Sequence, residues 1–151
     1  QRLAHRTASG DLAAHERTLA AAREEHETSA GALARVDRDV RIIADRLADA
    51  KIDYEYETKL VGRDGSVRLP DFTIVDDDSG RTYYWEHLGM LRDPTYARNW
   101  GRKLEWYESQ GIRRWEDGGG EPGTLIVTEE DERSGISSLA IKRRIEEVFG
   151  A

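Results

Sequence analysis

The sequence predicts an α/β protein, and three observations carry the prediction. Residues 1–50 are rich in Ala, Arg and Glu and contain no proline, the composition of helix. From Tyr54 the apolar period drops from helical spacing to alternation, the mark of strands. After Asp93-Pro94 helical spacing returns, and a short apolar segment, Thr124 to Thr128, separates that helix from a last one. The predicted element order is α-β-β-β-α-β-α, with a central mixed sheet behind an N-terminal helical arm.

Each element has its own local reason. Leu12, Leu19, His26, Leu33, Val40 and Leu47 recur every seven residues, with Val36 and Ile43 on the companion line. That is a coiled-coil-like seam, weak where His and Ser occupy it and strongest over Val36, Val40, Ile43 and Leu47. Thr28-Ser29-Ala30-Gly31 divides it, with Thr28 or Ser29 as an N-cap. Residues 1–30 are therefore expected to form an arm or linker, and 31–151 a domain. Tyr54, Tyr56 and Thr58 alternate with acids as a first strand. Gly62-Arg63-Asp64-Gly65 is a turn. Val67 to Val75 and Arg81 to Leu88 are expected as two strands joined by the Asp76–Gly80 hairpin loop. Asp93 caps a helix with Pro94 at its first position, and Gly111 ends it. Ser137 or Ser138 opens the last helix, which carries Leu139, Ile141, Ile145, Val148 and Phe149.

Composition excludes several classes of function. There is no cysteine, hence no disulfide framework, thiolate zinc site or cysteine nucleophile. The histidines His5, His15 and His26 show no paired zinc-ligand spacing. No apolar run approaches the ~18 residues of a membrane span, and no signal-peptide pattern opens the chain. Gly118 to Gly120 lacks the Lys-Ser/Thr of a phosphate loop, so ATP binding is not expected. The chain begins at Gln1 and its only methionine is Met90, so it reads as a piece of a longer protein. The net charge of −7 rules out a wholly basic nucleic-acid coat. The charge is uneven, however. Residues 81–114 hold seven basic and four acidic groups, among them Arg98, Arg102, Lys103, Arg113 and Arg114. This is either a solvated helix face or a track for phosphates. Trp115, following Arg113-Arg114, is the aromatic best placed to stack on a base.

The chemistry concentrates in the hairpin. A turn centred between Asp78 and Ser79 sets Val75 opposite Thr82 and Asp71 opposite Glu86. Facing carboxylates repel, and a shared proton or a shared cation relieves them. Two such hard oxygen ligands suit Mg2+ or Mn2+. Pro70 interrupts the ladder beside Asp71. Glu86 ends the apolar run Tyr83-Tyr84-Trp85 and needs a partner there; an arginine pairing with Glu86 and a turn-capping Asp71 are the plainer alternative.

Leu69-Pro70-Asp71-Phe72, followed after a short gap by Trp85-Glu86-His87-Leu88, resembles the PD-(D/E)xK nuclease superfamily. The longer strings Tyr84-Trp85-Glu86-His87-Leu88-Gly89-Met90 and Lys103-x-x-Trp106-Tyr107-x-x-x-Gly111-Ile112 resemble nuclease-type domains attached to bacterial superfamily-one helicases. The resemblance covers roughly residues 36–149. It implies a restriction-endonuclease-like core and a metal-dependent nuclease that hydrolyses DNA phosphodiesters, with Asp71 and Glu86 holding Mg2+ or Mn2+. It also implies a helicase domain in the same or a partner chain, a cytoplasmic bacterial setting, and a role in DNA repair or phage defence. The superfamily's lysine belongs two residues after the glutamate, where this chain has Leu88. Lys103, on the next helix with Tyr96, Trp100 and Tyr107 near its face, is the expected replacement. It would stabilise developing phosphate charge or orient water; a salt bridge to Glu86 is its structural alternative. Many relatives carry a supporting glutamate on the first core helix; the matching position is Val40, and Asp39 beside it would serve only after a small rotation and otherwise reads as exposed. His87 either contacts a DNA phosphate or is a satisfied packing residue. Arg98, Arg102, Arg113 and Arg114 would guide the backbone, and the charge pattern suits RNA as well as DNA. The rival expectations are a catalytically silent DNA-binding module beside a helicase, and a homodimerisation module built on the arm.

Overall fold

The computed structural model describes residues 16–17, 30–130 and 136–150. The chain divides into two units, Gln1–Ala34 and Arg35–Ala151. In the first, Glu16–Arg17 and the start of a helix are described; the seam positions Leu12, Leu19 and His26 and the cap at Thr28 or Ser29 lie outside the described residues.

The second unit is an α/β fold with a five-stranded mixed sheet. Its helices are α1 (Ala30–Asp49, begun in the first unit), α2 (Pro94–Ser109) and α3 (Ser138–Phe149). The strands are β1 (Glu55–Tyr56), β2 (Leu60–Val61), β3 (Val67–Arg68), β4 (Phe72–Val75), β5 (Thr82–Leu88), β6 (Arg113–Arg114) and β7 (Thr124–Glu129). The main sheet runs β1-β4-β5-β7-β6, while β2 and β3 form a separate two-stranded hairpin. β4 runs antiparallel to both its neighbours, β1 and β5, and β7 runs parallel to both β5 and β6.

The expected strand from Val67 to Val75 is in fact two. Val67–Arg68 pairs with Leu60–Val61, and Phe72–Val75 joins the main sheet. Leu69-Pro70 separates them, because proline has no N–H to give to a ladder. The β4–β5 register is the expected one: Val75 faces Thr82 and Phe72 faces Trp85. The Arg113–Arg114 strand was not foreseen. Two residues carry no readable period, and only their pairing with Thr124 and Leu125 defines them.

Side chains alternate across the sheet and build a core on each face. On one, Phe72, Ile74, Tyr83, Trp85 and Ile126 pack against Ile43 and Leu47 of α1 and Ile141 and Ile145 of α3. On the other, Tyr84 and Leu125 pack against Trp106 and Tyr107 of α2 and against Ile112. The result is three layers, α1 and α3 over one face and α2 over the other. β5 lies in the middle with six of its seven residues buried, which is why Tyr83 to Leu88 reads as apolar with almost no alternation. The Asp93 side chain accepts from the N–H groups of Thr95 and Tyr96 and starts α2. Gly111, at φ 78°, turns the chain out of it in a conformation other residues adopt at a cost. The Ser137 side chain caps α3. Among the described residues no helix is long and apolar enough to cross a membrane.

Candidate active site

Asp71 and Glu86 belong to the face of the sheet covered by α2. Phe72 pairs with Trp85, so one step back along β4 brings Asp71 level with Glu86. The Asp71 Oδ2 accepts the His87 backbone N–H at 2.7 Å, which fixes its carboxylate against β5. Glu86 is 4% exposed. Its Oε1 accepts the Tyr107 hydroxyl at 2.7 Å and takes the Lys103 Nζ at 2.6 Å. Lys103 Nζ also donates to the Leu69 carbonyl at 3.0 Å. One helix-borne cation therefore ties the turn before Asp71 to the glutamate on the next strand. Lys103 and Tyr107 stand four residues apart on α2 and so share its inner face.

Burial dominates the electrostatics. It pushes the Glu86 carboxyl up to about 7, with Lys103 pulling it down and Asp71 pushing it further up. Asp71 is raised from its ordinary range, again by burial first, against the His87 N–H and Lys103. Burial and the Glu86 charge raise the Tyr107 hydroxyl, which keeps it a donor. Tyr96, nearly two turns before Lys103 on α2, is raised by burial and feels Asp71, Glu86 and Glu130 as nearby charges. Two acids thus share one lysine, a cluster short of positive charge.

That deficit bears on a cation. Asp71 and Glu86 set two carboxylates beside one ammonium, that of Lys103. Two hard anionic oxygens, completed by water and a phosphate, are a common donor set for Mg2+, so the residues fit such an ion. Among the described residues no group of three or more His, Asp or Glu is arranged to hold a metal, so Asp71 and Glu86 would be its two acidic side-chain ligands there.

The remaining expected residues scatter. Arg98 and Arg102 are exposed on α2, the second beside Lys103 in sequence and the first about one and a half turns before it; Arg98 donates to Thr95 Oγ1 at 3.3 Å. Arg113 and Arg114 are two strands from Glu86. Arg113 is level with Thr124 and Tyr83, three residues short of Glu86, roughly 10 Å along the strand direction. The four arginines accordingly form no single lip. Trp115 packs against the core of the opposite face, and the Arg144 guanidinium lies 5.3 Å from its ring centroid, so that ring is not offered to a base.

His87 points away from Glu86, as alternation requires, and it is fully enclosed. Its Nε2 lies 2.9 Å from Asp39 Oδ2 and its Nδ1 2.9 Å from Thr128 Oγ1. Both ring nitrogens are used, which leaves none for a phosphate and makes His87 a packing residue. Thr128 Oγ1 also accepts the Trp85 indole N–H at 3.0 Å. The Asp39 Oδ1 accepts the Ile136 backbone N–H at 3.0 Å. Asp39, expected on an exposed face, is 1% exposed. It lies four residues before Ile43 and eight before Leu47, on the very stripe that faces the core. Helical spacing contained that signal; the charge of Asp39 masked it. The Tyr107 hydroxyl bond was missed for a related reason, since an aromatic beside Trp106 reads as core by default.

No protein-family model matches this chain, and no curated protein matches it.

Proposed function

We propose that this chain is a metal-dependent nuclease domain that hydrolyses DNA phosphodiester bonds, carried within a larger helicase, repair or defence protein. One observation supports the reading above others: Lys103 of α2 contacts Glu86 of β5 and holds the Leu69 carbonyl, while Asp71, level with Glu86, is fixed against β5 by the His87 backbone N–H. The mixed sheet between α1, α3 and α2 is compatible with a restriction-endonuclease-like core. The buried Leu88 occupies the expected lysine position, and Lys103 arrives at Glu86 from α2 instead.

In this reading Asp71 and Glu86 would hold Mg2+ or Mn2+ through their carboxylate oxygens. The ion would supply Lewis acidity and a water of lowered pKa for attack at phosphorus. Lys103, anchored to the Leu69 carbonyl, would set its ammonium against the phosphate charge that grows during attack. Tyr107 would hold the Glu86 carboxylate in one orientation. Arg98 and Arg102 are the charges near enough to steer a strand toward the pair.

A second reading has an observation of its own. The short Lys103–Glu86 ion pair neutralises a would-be metal ligand, as expected of a silent DNA-binding module. The same experiment separates the two. Single- and double-stranded DNA is incubated with Mg2+ or Mn2+ and wild type or Asp71→Ala. Cleavage by the wild type alone supports the nuclease. No cleavage by either, with DNA still bound, rejects catalysis by this chain and favours the silent module.

A further inference from the structure

The β2–β3 hairpin stands beside the acid pair and has two unlike faces. Its inner face is consumed by α2. Leu60 packs against the Trp106–Tyr107 cluster. The Ser66 Oγ accepts the Trp106 indole N–H at 2.7 Å. The Arg68 guanidinium lies 5.0 Å from the Trp106 ring centroid. At the turn the Arg63 N–H donates to Gln110 Oε1 at 2.9 Å. The contact is close: a Cβ on Gly62 would meet Trp106 at 2.9 Å. So many ties hold the hairpin as a fixed ridge rather than a loose loop.

The outer face is bare. Alternation sends Lys59, Val61, Val67 and Leu69 outward. Val61 is 62% exposed, Val67 42% and Leu69 46%. Three neighbouring aliphatic side chains in water mark a contact surface more often than an accident. Lys59 flanks them and Arg63 is exposed at the tip. Residues 59–69 contain three basic groups and one acid, Asp64. The Asp64 carboxylate is already occupied by Ser66. A net positive segment in a chain of charge −7 is suited to a polyanion. Continuity points the same way, because the Leu69 carbonyl that closes this ridge is the one held by Lys103.

Resting on the nuclease reading above, we infer that the outer face of the β2–β3 hairpin seats duplex DNA, with Lys59 and Arg63 on phosphates and Val61, Val67 and Leu69 against sugars and base edges. A single strand is typically gripped by stacked aromatic side chains, and this face has none. Duplex RNA presents a major groove too narrow for side chains, whereas the B-form major groove admits a two-stranded ribbon.

The test is fluorescence anisotropy in EDTA with labelled duplex DNA, single-stranded DNA and duplex RNA. It uses the full chain, its Lys59→Glu/Arg63→Glu variant and its Val61→Ser/Val67→Ser variant, each checked by circular dichroism. The charge reversal should weaken duplex DNA binding at least ~10-fold and flatten its salt dependence by about two phosphate contacts. The serine variant should weaken it several-fold with the salt slope unchanged. Duplex DNA should bind best of the three. Wild-type affinity in both variants, no duplex binding by the wild type, or preference for either other nucleic acid overturns the inference; the first of these leaves the ridge to a protein partner. Mn2+-dependent hydrolysis of bis(p-nitrophenyl) phosphate, a diester too small to reach the hairpin, keeps the two readings apart. If the wild type hydrolyses nothing yet the hairpin variants lose duplex binding, the nuclease reading fails and this one stands.

Discussion

Replacing Asp71 by Asn should stabilise the protein at pH 8 while removing a ligand from the candidate metal site. Asn keeps the size of the side chain and an oxygen to accept the His87 N–H; it removes one of two negative charges. Displacing the Glu86 carboxyl from its ordinary 4.5 to about 7, at 1.36 kcal/mol per pH unit, costs the native state about 3 kcal/mol above pH 7. Burial accounts for the largest part and Asp71 for a smaller one. The direct repulsion of two charges about 5 Å apart is at most ~3 kcal/mol at an effective dielectric constant of 20. Asp71 carries its own burial cost in addition. A net gain of about 1–2 kcal/mol is expected. Both carboxyls titrate higher when folded than when unfolded. The native state is therefore favoured while they are protonated and loses that advantage as pH rises through their folded values. The gain from Asp71→Asn should accordingly appear between pH 5 and 8 and vanish near pH 4. With a urea slope of about 2 kcal/mol per molar, the midpoint should move up by 0.5–1 M at pH 8 in EDTA, followed by tryptophan fluorescence. An unchanged or lowered midpoint at pH 8 would refute the claim that this pair is held against its own repulsion.

Three further outcomes follow from the same geometry. Lys103→Met should leave the fold intact by circular dichroism, raise the Glu86 carboxyl further, and reduce any metal-dependent DNA cleavage by ~100-fold or more; cleavage at the wild-type rate would remove Lys103 from the mechanism. Asp39→Ala should leave the His87 ring and the Ile136 N–H without their partner and cost about 3–5 kcal/mol in denaturant titrations, whereas a loss under 1 kcal/mol would mean the pocket rehydrates. Tyr107→Phe should cost about 1–2 kcal/mol, since it deletes a single hydrogen bond to a charged acceptor, and should shift the Glu86 titration upward when followed by carboxyl-carbon NMR.

Local chemistry determined much of this protein before any contact was known. The Asp93-Pro94 start and Gly111 end of α2, the Ser137 cap of α3 and the Asp76–Gly80 turn are decided by residues within a few positions of one another. The turn then sets the β4–β5 register, because strand pairing counts outward from it, and with the register comes the alignment of Asp71 with Glu86. What lies two or more elements apart was only partly within reach: a Lys103–Glu86 salt bridge stood among the expectations, but not the packing that makes it. The Lys103 ammonium reaches Glu86 because α2 packs over β5 at one height and rotation. Helical spacing put Asp39 on the core stripe, but its charge read as exposed because the partner that makes its burial tolerable, His87, lies forty-eight residues away. The division of Val67–Val75 into two strands was half legible, since Pro70 breaks a ladder, but the docking of the freed hairpin on Trp106 required the finished fold. Turns and caps are settled by dihedral preferences of single residues. Helix packing is settled by the whole buried surface, and the positions of Lys103, Asp39 and the hairpin's bare face follow from that surface alone.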